Sequence, residues 1–118
     1  MSFKFEITNN ASALIFSIGG KINSSEDTEG LLTQLERELK NQKKQFLFEV
    51  SNLEYITSTG LNFFIRSLTR IRNAGGELVV CNMHGTVEKL FKISKLNEIF
   101  IICPTVEEGL IKINAQQA

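Results

Sequence analysis

Tryptophan is absent from this chain, and histidine, proline and tyrosine each occur once. These scarcities exclude several kinds of chemistry. His84 has no Cys, Asp or Glu near it at the spacing a metal site needs. A Ser–His–acid set would have to use it, and Met83-His84-Gly85 gives such a set no support, so it reads as a polar loop residue. Neither G-x-G-x-x-G nor G-x-x-x-x-G-K-[ST] occurs, so the common phosphate-cradling loops are missing. Cys81 and Cys103 are the only cysteines, both inside apolar runs, and read as buried thiols rather than a disulfide. Net charge is also lacking. Lys+Arg and Asp+Glu number 13 each, which gives no general attraction to nucleic acid or to an anionic membrane. The apolar run Ile99–Cys103 is far short of the roughly 20 residues of a spanning helix. Met1–Glu6 alternates polar and apolar residues and lacks the apolar core of a signal peptide. The expectation is a cytoplasmic protein that is not an enzyme, holds no metal or cofactor, binds no nucleic acid and inserts into no membrane.

What is present suits one globular domain spanning residues 1–118. The chain has 118 residues, 42% of them hydrophobic, enough to bury a substantial core. Its nine Phe lie mainly inside apolar runs, a pattern of core packing rather than of a base-stacking platform.

Phe3–Thr8 and Leu14–Ile18 have strand character and flank the turn-prone Asn9-Asn10-Ala11-Ser12, which predicts a β-hairpin. Gly19-Gly20 then reads as a break. Ser24-Ser25-Glu26-Asp27 looks like a helix start, followed by Leu31, Leu32, Leu35 and Leu39 at helical spacing. Phe46–Val50 is apolar throughout, apart from Glu49, as in a strand covered on both faces. Leu61, Phe64, Ile65, Leu68 and Ile71 form the stripe of a second helix, stopped at Asn73-Ala74-Gly75-Gly76. Leu78–Cys81 is a further strand, and Val87, Leu90, Phe91 and Ile93 mark a third helix. Ile99–Ile102 reads as the last strand. Thr105-Val106-Glu107-Glu108 matches a capping box that opens a fourth helix with Val106, Leu110 and Ile113. The order β-β-α-β-α-β-α-β-α predicts an α/β fold, with a mixed sheet of four to five strands, an N-terminal hairpin and four helices.

One constellation stands out. Thr57-Ser58-Thr59 places three hydroxyls between a buried strand and the clearest helix, the edge where open α/β sheets engage ligands and partners. Helix capping by Thr57 or Ser58 is the plain reading. Thr59, Phe63 and Arg66 lie at i, i+4 and i+7, displaced from the Leu61/Phe64/Ile65/Leu68 stripe. If that stripe faces the sheet, Phe63 is exposed beside Thr59 and Asn62; otherwise Phe63 packs beneath the neighbouring helix.

These residues resemble the STAS domain family (sulphate transporter and anti-sigma antagonist), and in particular its stand-alone anti-anti-sigma factors. Gly20-Lys21-Ile22-Asn23 is similar to the family's G-x-L-D turn. Leu53-Glu54-Tyr55-Ile56-Thr57-Ser58-Thr59-Gly60-Leu61 is similar to its hydrophobic-Asp-Ser-[Ser/Thr]-Gly-Leu signature. Gly75-Gly76-Glu77-Leu78, Val87–Phe91 and Ile93–Leu96 follow in the family's order. The resemblance implies that Thr59, with Ser58 as second choice, is a phosphoacceptor. It also implies a docking edge of Asn23, Ser24, Thr57, Ser58, Thr59, Gly60, Asn62, Phe63 and Arg66. The implied partners are an anti-sigma factor that is also a serine/threonine kinase with a GHKL-type ATP site, bound by the unmodified form and released on phosphorylation, and a PP2C-type phosphatase. ATP would then belong to the kinase. Thr57 and Asn23 stand where the family has acids, which removes negative charge from this edge. Two other readings stay open: an unphosphorylated structural STAS subunit of a transporter or signalling complex, and a nucleotide- or small-ligand-binding domain.

Overall fold

The structure, a computed structural model, describes residues 3–10 and 13–117. Its elements run β1 (Lys4–Asn9), β2 (Leu14–Ile22), α1 (Ser25–Lys40), β3 (Gln45–Ile56), α2 (Ser58–Asn73), β4 (Glu77–Cys81), α3 (Gly85–Ile93), a 3₁₀ turn (Leu96–Glu98), β5 (Ile101–Cys103) and α4 (Val106–Gln117). The five strands lie side by side in chain order. β1 pairs antiparallel with β2, and every other pairing is parallel. The expected α/β fold with its N-terminal hairpin is therefore the fold observed. Asn10 and Ala13 close the hairpin through reciprocal backbone bonds of 3.0 and 3.1 Å, while Ala11 and Ser12 of the expected turn lie outside the described residues.

Strand alternation sorts the core into two layers. Phe46, Phe48, Leu78 and Val80 point to the face covered by α1, α2 and α3. Leu47, Val79 and Cys81 point to the face covered by α4, with Ile113 and Cys103. Central strands buried on both sides read as nearly continuous apolar runs, which is why Phe46–Val50 looked that way. On β1, Phe5 and Ile7 pack against the larger core while Lys4, Glu6 and Thr8 stay exposed. Cys81 and Cys103 are free and buried, facing each other across β4 and β5.

Several expectations need correction. Gly19-Gly20 does not end β2, which continues to Ile22. The pairing with β3 slips between Ser17 and Gly19 and again between Gly20 and Lys21, so the glycines serve bulges inside the strand. Gly20 has φ +90°, and a Cβ on Gly19 would sit 3.1 Å from the Asn52 Cβ. β3 runs on well past Val50, to Ile56. The last strand is Ile101–Cys103, because Leu96–Glu98 tightens into a 3₁₀ turn that leaves Ile99 exposed. On α2 the buried residues are Gly60, Phe63, Phe64, Ser67, Leu68 and Ile71, and Ile65 is 40% exposed. The helix is thus rotated from the expected stripe, with two small residues where it lies closest to the sheet.

Candidate functional site: the hydroxyl run at the start of α2

The site sits at the carboxyl ends of β2 and β3. These strands are adjacent and parallel, and Ile22 pairs with Ile56, so the residues that follow each strand emerge together. That register brings Asn23-Ser24 beside Thr57-Ser58-Thr59, although the two segments lie far apart in the chain. Thr57 joins them. Its N–H donates to the Ile22 carbonyl at 3.1 Å, and its Oγ1 lies 3.3 Å from the Ile22 oxygen and 3.5 Å from that of Asn23.

Thr57 is the N-cap residue by position, yet no side chain caps α2. The expected capping by Thr57 or Ser58 is thus not observed, because the Thr57 hydroxyl is turned back to β2. Of the three hydroxyls, only that of Thr57 has a hydrogen-bond partner among the described residues. Ser58 is exposed and Thr59 half-buried. Helix α2 also opens without an acidic side chain, whereas α1 starts with Glu26 and Asp27, α3 with Glu88 and α4 with Glu107 and Glu108. Its N-terminal partial positive charge is therefore left unbalanced at the hydroxyl run. Beside it, one Asp27 carboxylate oxygen accepts the N–H groups of Asn23 and Ser24 at 2.8 and 3.1 Å, so this edge keeps an acid one turn beyond Asn23.

Not every expected site residue faces outward. Asn23, Ser24, Asn62 and Arg66 are exposed along with Ser58. Phe63 is not. It is 2% exposed, with its ring stacked on Phe48 at 5.9 Å and edge-on to Phe64 at 5.2 Å. Of the two placements left open, Phe63 belongs to the core and offers no docking surface. Gly60 is buried too, and its part is steric. A Cβ there would lie 2.6 Å from the Ile56 Cβ and 3.3 Å from the Ile22 Cβ, so glycine lets the first turn of α2 press against the two strand ends.

The neighbouring loop completes the edge. β4 stops pairing at Cys81, opposite Glu49, which leaves the end of β3 without a strand on that side. Side chains of the β4–α3 loop and of the first turn of α3 take the strand's place. Asn82 Nδ2 donates to Glu49 Oε2 at 2.6 Å, His84 Nε2 donates to the Ser51 carbonyl at 2.7 Å, and Thr86 Oγ1 donates to the Glu54 carbonyl at 3.1 Å. His84 is thus a loop anchor. Between the end of β3 and α3 lies an open groove of about 450 Å³. Tyr55 and Ile56 line one side, Leu90 and Ile93 the other, with Thr86 and Lys89 beside them and Thr57 and Ser58 at its end. This groove is not marked by any motif or spacing in the chain. Its one signal was Ile93, grouped above with Val87, Leu90 and Phe91, which lies off the buried Val87/Phe91 line of α3 and is 78% exposed.

Residues 4–109, nearly the whole chain, match the family profile of the STAS domain. The chain belongs to the STAS domain family. A relative within reach is BtrV of Bordetella bronchiseptica, provisionally named an anti-sigma factor antagonist, which is 29% identical over 94 residues covering 80% of each chain. An anti-sigma factor antagonist from Mycobacterium paratuberculosis superposes with a TM-score of 0.79 at 17% identity, over 96% of this chain and 95% of the other. The Bacillus cell fate determinant SpoIIAA in its phosphorylated form gives 0.72 at 14% identity, over 93% and 99%. Within this STAS domain no group of three or more His, Cys, Asp or Glu among the described residues could hold a metal ion. No helix among them is long and apolar enough to cross a membrane.

Proposed function

We propose that this STAS domain is an anti-sigma factor antagonist controlled by phosphorylation at Thr59, with Ser58, the more exposed hydroxyl, as second choice. The unmodified protein binds an anti-sigma factor that is also a serine/threonine kinase with a GHKL-type ATP site, and so frees the sigma factor. Phosphorylation by that kinase breaks the complex, and a PP2C-type phosphatase restores the binding form. The chain is substrate and ligand in this cycle, not catalyst.

The observation that carries the reading is the hydroxyl run itself: the Ser58 and Thr59 hydroxyls have no hydrogen-bond partner among the described residues, and they open the one helix of the four whose first turn has no acidic side chain. A phosphate adds about −1.5 to −2 charges at neutral pH. At this helix start it meets free N–H groups and the positive end of the dipole, so the folded domain tolerates it. Across an interface the same dianion must be desolvated or matched by a cation, and the complex weakens. SpoIIAA, which shares the fold, is itself described in a phosphorylated form.

The test compares Thr59→Ala and Thr59→Glu in titrations against the purified anti-sigma factor, alongside phosphopeptide mapping of the protein from its own cells. Thr59→Ala is expected to bind as the unmodified protein does and Thr59→Glu at least tenfold more weakly, with melting temperatures alike. Equal affinity of the two variants, with no phosphate on either hydroxyl, would refute the switch.

A further inference from the structure

The groove between β3 and α3 exposes apolar surface that serves no packing within the chain. Ile93 is 78% and Tyr55 45% exposed, and both line it together with Leu90. Apolar side chains gathered on one concavity are a mark of a surface that another molecule covers. A single charged residue, Lys89, lines the groove, and no acid does. On the same helix Lys92 is paired with Glu88 at 3.9 Å, whereas Lys89 has no ion-pair partner among the described residues. The groove also runs into the hydroxyl run, since Thr57 and Ser58 form its end.

We infer that this groove receives an apolar segment of the anti-sigma factor bearing an acidic side chain that meets Lys89; the inference rests on the function proposed above. The charge pattern selects the occupant. An apolar segment with a carboxylate matches both the walls and the unpaired ammonium, whereas a basic segment would meet Lys89 with like charge. Continuity with Ser58 gives phosphorylation a second way to act. A phosphate on Ser58, which lines the groove, or on Thr59 next to it in the chain brings a dianion to the end of the groove that holds the carboxylate meant for Lys89, and the two anions compete for one cation. Partner release then follows from competition inside a shared footprint, without a change of fold.

Titration of the purified anti-sigma factor into Ile93→Ser, Lys89→Glu, Lys89→Arg and Ile111→Ser tests this. Ile93 and Lys89 are exposed, so all four variants should melt with the wild type. Ile93→Ser and Lys89→Glu are expected to bind at least tenfold more weakly, and Lys89→Arg within about twofold of wild type. Ile111, 69% exposed on α4, is the control, and its variant is expected to bind normally. Wild-type affinity of both Ile93→Ser and Lys89→Glu, while Thr59→Glu fails to bind, would overturn the groove and leave the switch standing. Loss of binding by the groove variants, while Thr59→Glu binds like Thr59→Ala and neither Thr59 nor Ser58 carries phosphate, would support the groove and refute the switch.

Discussion

Gly60→Ala and Gly30→Ala make the same chemical change in two helices and should move stability in opposite directions. In a helix interior, Gly→Ala ordinarily stabilises by roughly 0.5–1 kcal/mol, because alanine loses less backbone freedom on folding. Gly30 is exposed on α1, and a Cβ there meets only Phe5 Cε1 at 3.9 Å, an ordinary contact. Gly30→Ala should therefore stabilise by about that amount. At Gly60 the added carbon would lie 2.6 Å from the Ile56 Cβ and 3.1 Å from its Cγ2. Ile56 is held by its pairing with Ile22, so neither neighbour yields without moving a strand end. Overpacking of this kind costs about 1–3 kcal/mol, more than the helix term returns. The net effect should be a loss of about 1–2 kcal/mol. For a domain of this size that is a fall in melting temperature of roughly 4–8 °C, against a rise of a few degrees for Gly30→Ala. Urea unfolding of both variants with unchanged m-values measures the difference. A Gly60→Ala protein as stable as wild type would show that α2 does not press on the strand ends as described.

Further outcomes follow from the core and the joint between β2 and β3. Phe63→Ala should lower stability by about 3–5 kcal/mol through loss of a buried ring, while the fraction that stays folded keeps its affinity for the anti-sigma factor; weakened binding with unchanged melting would return Phe63 to the surface. Thr57→Val should cost about 0.5–1.5 kcal/mol in urea unfolding, because it removes the hydroxyl between Ile22 and Asn23 and leaves the fold intact; full stability would show that this hydroxyl contributes nothing. Burial, then the Cys103 thiol and Glu49 beside it, push the Cys81 thiol up from 9.0 to about 12. A raised acid favours the protonated native state, so its contribution is intact below pH 9 and is lost as pH rises towards 12, at about 1.4 kcal/mol per unit. Native Cys81 should resist thiol reagents at pH 8 and react only on unfolding; rapid native labelling would contradict its burial.

Much of the fold was legible in the chain because it rests on local chemistry. The alternation of strands and helices follows from apolar periodicity and turn residues. The start of α4 at Thr105 is seen in the 3.2 Å bond from the Glu108 N–H to the Thr105 hydroxyl. The start of α1 at Ser24 is likewise marked by Asp27 reaching back to the Asn23 and Ser24 amides. Thr57-Ser58-Thr59 was visible as a run, and its place between a buried strand and a helix followed from the same pattern.

The orientation of α2 depended on tertiary structure. Apolar spacing weights large side chains and so chose Ile65 with Leu61, which does pack at the core's edge, but close approach to a sheet selects small ones. Gly60 and Ser67 mark the true contact line, and Ser67 satisfies its hydroxyl on the Phe63 carbonyl at 2.9 Å. Turning the helix onto that line takes Phe63 inside and leaves Ile65 out. The Thr57 hydroxyl was likewise read as a local cap, when a carbonyl 35 residues away in sequence is its partner. The groove beside it is built from β3 and α3, whose separation in space no local pattern encodes. Element identity is set by neighbours a few residues apart and can be read along the chain. The facing of each element, and every site made by two of them, is set by which surfaces fit together, and that exists only once the chain has folded.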